Sequence, residues 1–200
     1  MPEIGKEVGK ERILGGLLKT GQTTSYNSYA DDGYYEKGLS KQYTILTAGQ
    51  YDGTTSITLY NRTDLISNNC VYDRRTRLMW SRDPSDGLGP SADGKLPWTT
   101  NTNGEGIFTY LDAANLAKVA GYSDWRIPNV YELQSLLNYE APSAKPDTTA
   151  FPVWPDATAF WSSTTEPAST TQAIRLVYVN AYISATNKQT AHYVALVRGG

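Results

Sequence analysis

A chain of 200 residues has room for one ordinary domain with a core and a short arm, and too little for two large domains. Lys+Arg 18 against Asp+Glu 20, a formal charge of -2, leaves no basic field for a nucleic-acid backbone, and no apolar stretch approaches the roughly 20 residues that a membrane-spanning helix needs. One Cys and one His exclude an internal disulfide and a Cys/His structural zinc site, while 40% hydrophobic with 19% charged residues describes a chain that folds.

The start, Met1-Pro2-Glu3, has an acidic residue where a signal peptide carries a basic head and then an apolar run, so export by the usual route is not expected. Ile4, Val8, Ile13, Leu14, Leu17 and Leu18 are too many apolar side chains for a solvated tail. Gly5, Gly9, Gly15 and Gly16 each weaken a helix by ~1 kcal/mol, so a lone helix would not persist. Residues 1–19 are read as an arm that docks on a partner, with plain disorder as the alternative.

Residues 20–69 read as a strand-rich extension. Tyr43–Thr47 and Ser56–Tyr60 alternate, with Asp52-Gly53 as the turn between them. From residue 70 to 200 a separate domain is expected. Val71–Trp80 is strand text broken by the charged turn Asp73–Thr76, and Asp83–Trp98 is a Gly/Pro/Asp loop. Residues 109–120 predict a helix with Gly121 as its cap. A second helix, Val130 to about Tyr139, opens with Asn129 as N-cap and Glu132 three residues on, and buries Val130, Leu133, Leu136 and Leu137. Strands return at 159–162, 174–179, 182–185 and 193–198, an α+β order with no βαβ alternation.

Three groups of residues carry a resemblance. Tyr72-Asp73-Arg74-Arg75-Thr76-Arg77-Leu78-Met79-Trp80 resembles a D-x-x-T-G-L-M-W opening, and 121–136, beginning Gly-Tyr-Ser-Asp-Trp-Arg, resembles a G-Y-S-D-W-R-L-P-x-x-x-E-L-x-S-L centre. Phe160-Trp161-Ser162-Ser163 and the ending 194–200 resemble Y-W-S-S and V-R-C-V-R-G-G. Together they are similar to the Lcl C-terminal-like domain family, found in bacterial surface proteins and in phage and prophage proteins. The resemblance implies a C-type-lectin-like fold, two helices packed on a small twisted antiparallel sheet with long loops and a variable ligand surface. Arg77 stands where the motif has Gly. Ala114 and Leu196 occupy places where many secreted members of the family pair cysteines, which suits assembly in a reducing compartment.

Trp80, Trp125 and Trp161 could stack on sugars, but their place among apolar motif residues favours the core. Arg126 is read as a fork holding loop carbonyls or Glu132, in preference to an acid/base group with Asp124. Asp83, Asp86 and Asp93 offer oxygen ligands for calcium, yet their spacing is not that of an EF-hand and turn formation is preferred. Cys70 is read as a buried strand residue, and His192 is given no catalytic role. The best ligand surface is Arg175 to Tyr193, where Tyr178, Asn180, Tyr182, Asn187, Lys188 and Gln189 join Arg175 in mixing rigid aromatics with adaptable amides, as binding loops do. An ordinary polar hairpin is the alternative.

The expectation is a non-enzymatic protein with no metal or cofactor: a phage or prophage virion structural or recognition protein, in the head or tail, tethered by its arm. Its partners would be itself, as a homo-oligomer such as a trimer, and other virion proteins, with no nucleic acid or membrane. The alternative is a glycan-binding adhesin domain on a bacterial cell surface. An enzyme of the formylglycine-generating type is disfavoured because its Cys pair is missing.

Overall fold

The computed structural model describes residues 18–25, 31–35, 38–46, 56–59, 62–65, 70–81, 94–102, 104–116, 118–140, 143–152, 154–155 and 159–199. Its elements are short: α1 (Asp32–Tyr35), β1 (Tyr43–Leu46), β2 (Ser56–Leu59), β3 (Arg62–Leu65), β4 (Cys70–Asp73), β5 (Leu78–Ser81), β6 (Leu96–Pro97), α2 (Ile107–Leu116), α3 (Val130–Ser135), β7 (Ala159–Thr165), β8 (Gln172–Val177), β9 (Tyr182–Asn187), β10 (Ala191–His192) and β11 (Val197–Gly199). The result is a mixed α+β structure with short helices and small antiparallel sheets.

The hairpin β4–β5 follows from its turn. Asp73 takes hydrogen bonds from Arg75 N (2.8 Å) and Thr76 Oγ1 (2.8 Å), and Arg77 N closes the turn on Asp73 O (2.8 Å). Arg77 sits at φ 61, the left-handed conformation that the glycine of the motif would take without strain. The expected hairpin of β1 with β2 does not form. Instead β1 pairs with β4, and β2 pairs with β3 across a two-residue connection, which costs less loop-closure entropy than the longer link back to β1. Asp52-Gly53 lies outside the described residues.

The first major helix starts and stops earlier than the sequence suggests. Lys118 (φ 52) and Ala120 (φ 52) are left-handed, so α2 ends at Leu116 and Gly121 closes a separate 3-10 turn, Val119–Gly121. Asn115 spends its side chain on Trp125, donating to its O (2.9 Å) and accepting from its N (2.8 Å), while Trp125 Nε1 donates to Val119 O (2.9 Å). The second helix carries the expected capping box: Glu132 N donates to Asn129 Oδ1 (3.0 Å) and Asn129 N to Glu132 Oε2 (2.8 Å). It is shorter than expected because Asn138 N turns to Ala144 O (3.2 Å) and Tyr139 N to Thr20 O (2.9 Å). Leu133, Leu136 and Leu137 are buried, and Val130 only half-buried.

The sheet β1-β4-β5-β11 lies between two cores. Cys70 and Met79 face α2 with Ile107, Tyr110, Trp125, Trp161 and Leu196, whereas Val71 and Trp80 face α3 with Leu133, Leu136, Phe151, Phe160 and Leu176. The sheet β7-β8-β9 is divided in the same way, Trp161 going to the first core and Phe160 to the second. Trp154 stacks on Phe160 (4.5 Å, 14°), and Tyr178 meets Phe160 edge-on (5.3 Å, 90°).

Candidate recognition surface

The hairpin β8–β9 turns through a 3-10 segment, Tyr178–Asn180, with Ala181 left-handed at φ 52. That turn corrects one expectation. Tyr178 is 0% exposed and its hydroxyl donates to Leu133 O (3.1 Å), so it is a core residue and offers no ring to a ligand. Asn180 and Tyr182 are exposed, Tyr182 at 55%.

Strand alternation places Arg175, Val177 and, across the register Val177↔Tyr182, Tyr182 on one face. The short ribbon β6–β10 crosses beside them and brings Lys95 and His192, so that Lys95, Ala159, Arg175, Val177, Tyr182 and His192 line a cleft of about 480 Å³. Arg175 Nε reaches Ser184 Oγ (3.3 Å) and its Nη1 lies 3.3 Å from His192 Nε2. Arginine only donates, so Nε2 accepts and the imidazole proton belongs on Nδ1. The ring lies edge-on to Trp161 (4.8 Å) and is pushed down to about 4, first by burial and then by Arg175 and Lys95. Among the described residues the lining holds two cations, a neutral imidazole and no carboxylate.

Asn187, Lys188 and Gln189 lie apart from that cleft and act on their own chain. Lys188 Nζ donates to Thr170 O (2.8 Å) and sits 4.4 Å from the centre of the Trp98 ring, and Gln189 Nε2 donates to Thr99 Oγ1 (2.5 Å). Trp98 N in turn donates to Lys188 O (2.7 Å). This latch closes a second groove of about 290 Å³ with Thr99, Thr170 and Thr171.

The remaining named residues have structural surroundings. Trp80 and Trp161 are 0% exposed and Trp125 is 3%. Arg126 grips Glu132 with two bonds (2.7 and 2.6 Å) and donates to Gly199 O (2.9 Å), while Asn129 and Glu132 form the cap. Arg198 pairs with Asp124 (2.6 Å) and stacks on Tyr122 (3.6 Å). Cys70 is buried, which pushes its thiol up to about 12. Leu18 is half-buried and bridges to Leu39 of its own chain. Ile4, Val8, Ile13, Leu14, Leu17, Asp83, Asp86 and Asp93 lie outside the described residues. Among the described residues no three His, Cys, Asp or Glu side chains group to hold a metal ion, and no helix is long and apolar enough to cross a membrane.

Lys95 and His192 are polar cleft residues that the sequence does not assign to the ligand surface. No local signal marks either one, since they meet only because His192 pairs with Leu96 across a gap of nearly a hundred residues. An α+β domain that ends in a strand clamped to a capped helix, with a cationic and aromatic cleft on one sheet, is the class the geometry defines. Residues 69–198 match the Lcl C-terminal domain, well over half of the chain, and the chain belongs to that family. No curated protein matches it.

Proposed function

We propose that the chain is a non-enzymatic, adhesin-like recognition module of C-type-lectin-like fold whose ligand contact is the Lys95–Arg175–Tyr182 cleft. One observation carries this reading: an exposed tyrosine face beside two cations, at the sheet β7-β8-β9, with no lining carboxylate among the described residues. Such a surface stacks on the apolar side of a sugar and complements an acidic substituent. The chemistry of the nucleophile candidates agrees. A thiol held near 12 is not a thiolate at neutral pH, and an imidazole held near 4 by burial and then by two cations is a weak base.

Weak single contacts suit a homo-oligomer, in which several copies bind one surface together. Ala114 and Leu196 favour the virion over an exported cell-surface protein as the place of action. Both are almost fully buried in one core where secreted relatives are expected to carry cysteines, so this core needs no oxidising compartment. In that reading the arm meets other virion proteins.

Binding of the full chain to a panel of bacterial surface glycans tests the first reading. Wild type binds, while Arg175→Ala and Tyr182→Ala each lose about tenfold or more in affinity with melting temperature unchanged. Glycan binding indifferent to both substitutions overturns it.

A further inference from the structure

The N-terminal extension meets the family domain along a seam. Within the N-terminal segment Lys19 N donates to Leu39 O (2.9 Å), and across the seam Tyr139 N donates to Thr20 O (2.9 Å). Glu140 accepts from Thr23 N (2.7 Å), Thr24 N (3.2 Å) and Thr24 Oγ1 (2.6 Å), which holds its carboxyl down to about 2. Gly21, at φ 93, crosses Asn138 so closely that a Cβ there would stand 2.1 Å from Oδ1. These contacts enclose a cavity of about 260 Å³ walled by Lys19, Thr23, Lys41, Tyr43, Asn138 and Asp147.

Lys41 gives this cavity its chemistry. Its ammonium is largely withdrawn from water and, among the described residues, has one hydrogen bond, to Leu137 O, for its three donors. A buried cation so thinly compensated is costly, and burial pushes its pKa down to about 8 against the attraction of Asp73 and Asp147. Asp147 attracts the ammonium through its charge, while its Oδ1 accepts from Thr149 N (2.9 Å) and Ala150 N (2.8 Å).

We propose that this seam cavity binds a small carboxylate-bearing molecule on the Lys41 ammonium. Lys41 presents one ammonium and Asp147 lines the same cavity, which suits a monoanion, whereas a dianionic phosphate would meet more repulsion from Asp147. The Tyr43 ring supplies an apolar wall, and the volume, below that of drug-sized sites, sets a small acid or a single acidic sugar as the upper limit. The site is separate from the cleft of the proposed recognition function, and its extension walls lie outside the stretch that matches the family.

The test is a nuclear magnetic resonance titration of the isotope-labelled full chain with sodium glucuronate and sodium acetate, with glucose as the neutral control. Expected are saturable shifts at residues 19–23, 40–43 and 138–147 that glucose does not cause, that Lys41→Met abolishes and that Arg175→Ala leaves in place. Binding should weaken about tenfold from pH 7 to pH 9 as Lys41 loses its proton. The same shifts with a polyuronate chain identify a glycan end as the source of the acid, and their absence identifies a free small acid. Should Lys41→Met not fold, the map and pH dependence on wild type decide alone. No saturable shift with either acid, or shifts confined to residues 175–192, overturns the proposal.

Discussion

Arg126 and Arg175 are both partly buried, and they are used in opposite ways. Arg126 has its fork filled by the Glu132 carboxylate and a third bond to Gly199 O, so its charge is neutralised and it joins a helix start to the last strand. Arg175 meets a serine hydroxyl and a neutral imidazole at 3.3 Å each and, among the described residues, no carboxylate. A guanidinium left with its charge uncompensated beside an open cleft can serve a ligand, whereas one locked into a bidentate pair cannot. The same contrast separates Trp161, buried under that cleft, from Tyr182, exposed at its rim.

The comparison can be broken most forcefully at the aromatics. Trp161→Ala should cost roughly 3 to 5 kcal/mol in denaturant titration, and Tyr182→Ala under about 0.5 kcal/mol. Equal losses would erase the distinction between core and rim. Next come the arginines. Arg126→Met should lower stability by about 1 to 2 kcal/mol, discounted because its side chain is 40% exposed, while Arg175→Met should cost less than half of that and remove ligand affinity instead.

Acid should act on the cleft side through His192. His192 falls from 6.5 in an unfolded chain to about 4 when folded, so the unfolded state binds the extra proton between those values. Its contribution is therefore complete above pH 6.5, shrinks as pH falls, and is gone below about 4. Thermal melts of His192→Gln should show a flatter decline than wild type across that window, and parallel curves would contradict the assignment. The smallest change should come at the turn of β4–β5. Arg77→Gly relieves a left-handed backbone and should raise stability by up to about 1 kcal/mol, read as a higher urea midpoint at an unchanged slope.

What the sequence disclosed follows the same divide. The Asn129–Glu132 cap, the Asp73 turn and the fork of Arg126 on Glu132 are each written within six residues, where backbone geometry alone brings the partners together. The cleft depends on β6 meeting β10, a pairing that no local pattern specifies, so Lys95 and His192 stayed hidden while Arg175 and Tyr182 were visible. Tyr178 fits a binding loop by composition, but composition does not say which groups pack together: it shares strand parity with Leu176, and both are fully buried in one core. The same limit moved β1 from β2 to β4: both runs read as strands, but partner choice is set by loop length and by the two cores that the sheet must divide.

The strand β11 adds a constraint on how the molecule is made. Val197, Arg198 and Gly199 pair with Trp80, Met79 and Leu78, and Val197 also exchanges backbone bonds with Arg126. While the ribosome is still short of these residues, β5 has an open edge, Arg126 lacks its carbonyl partner, and Trp80 is without the strand opposite it. The nascent domain must wait unsealed through the synthesis of everything between, a window in which that bare edge is open to chaperones or to sister chains.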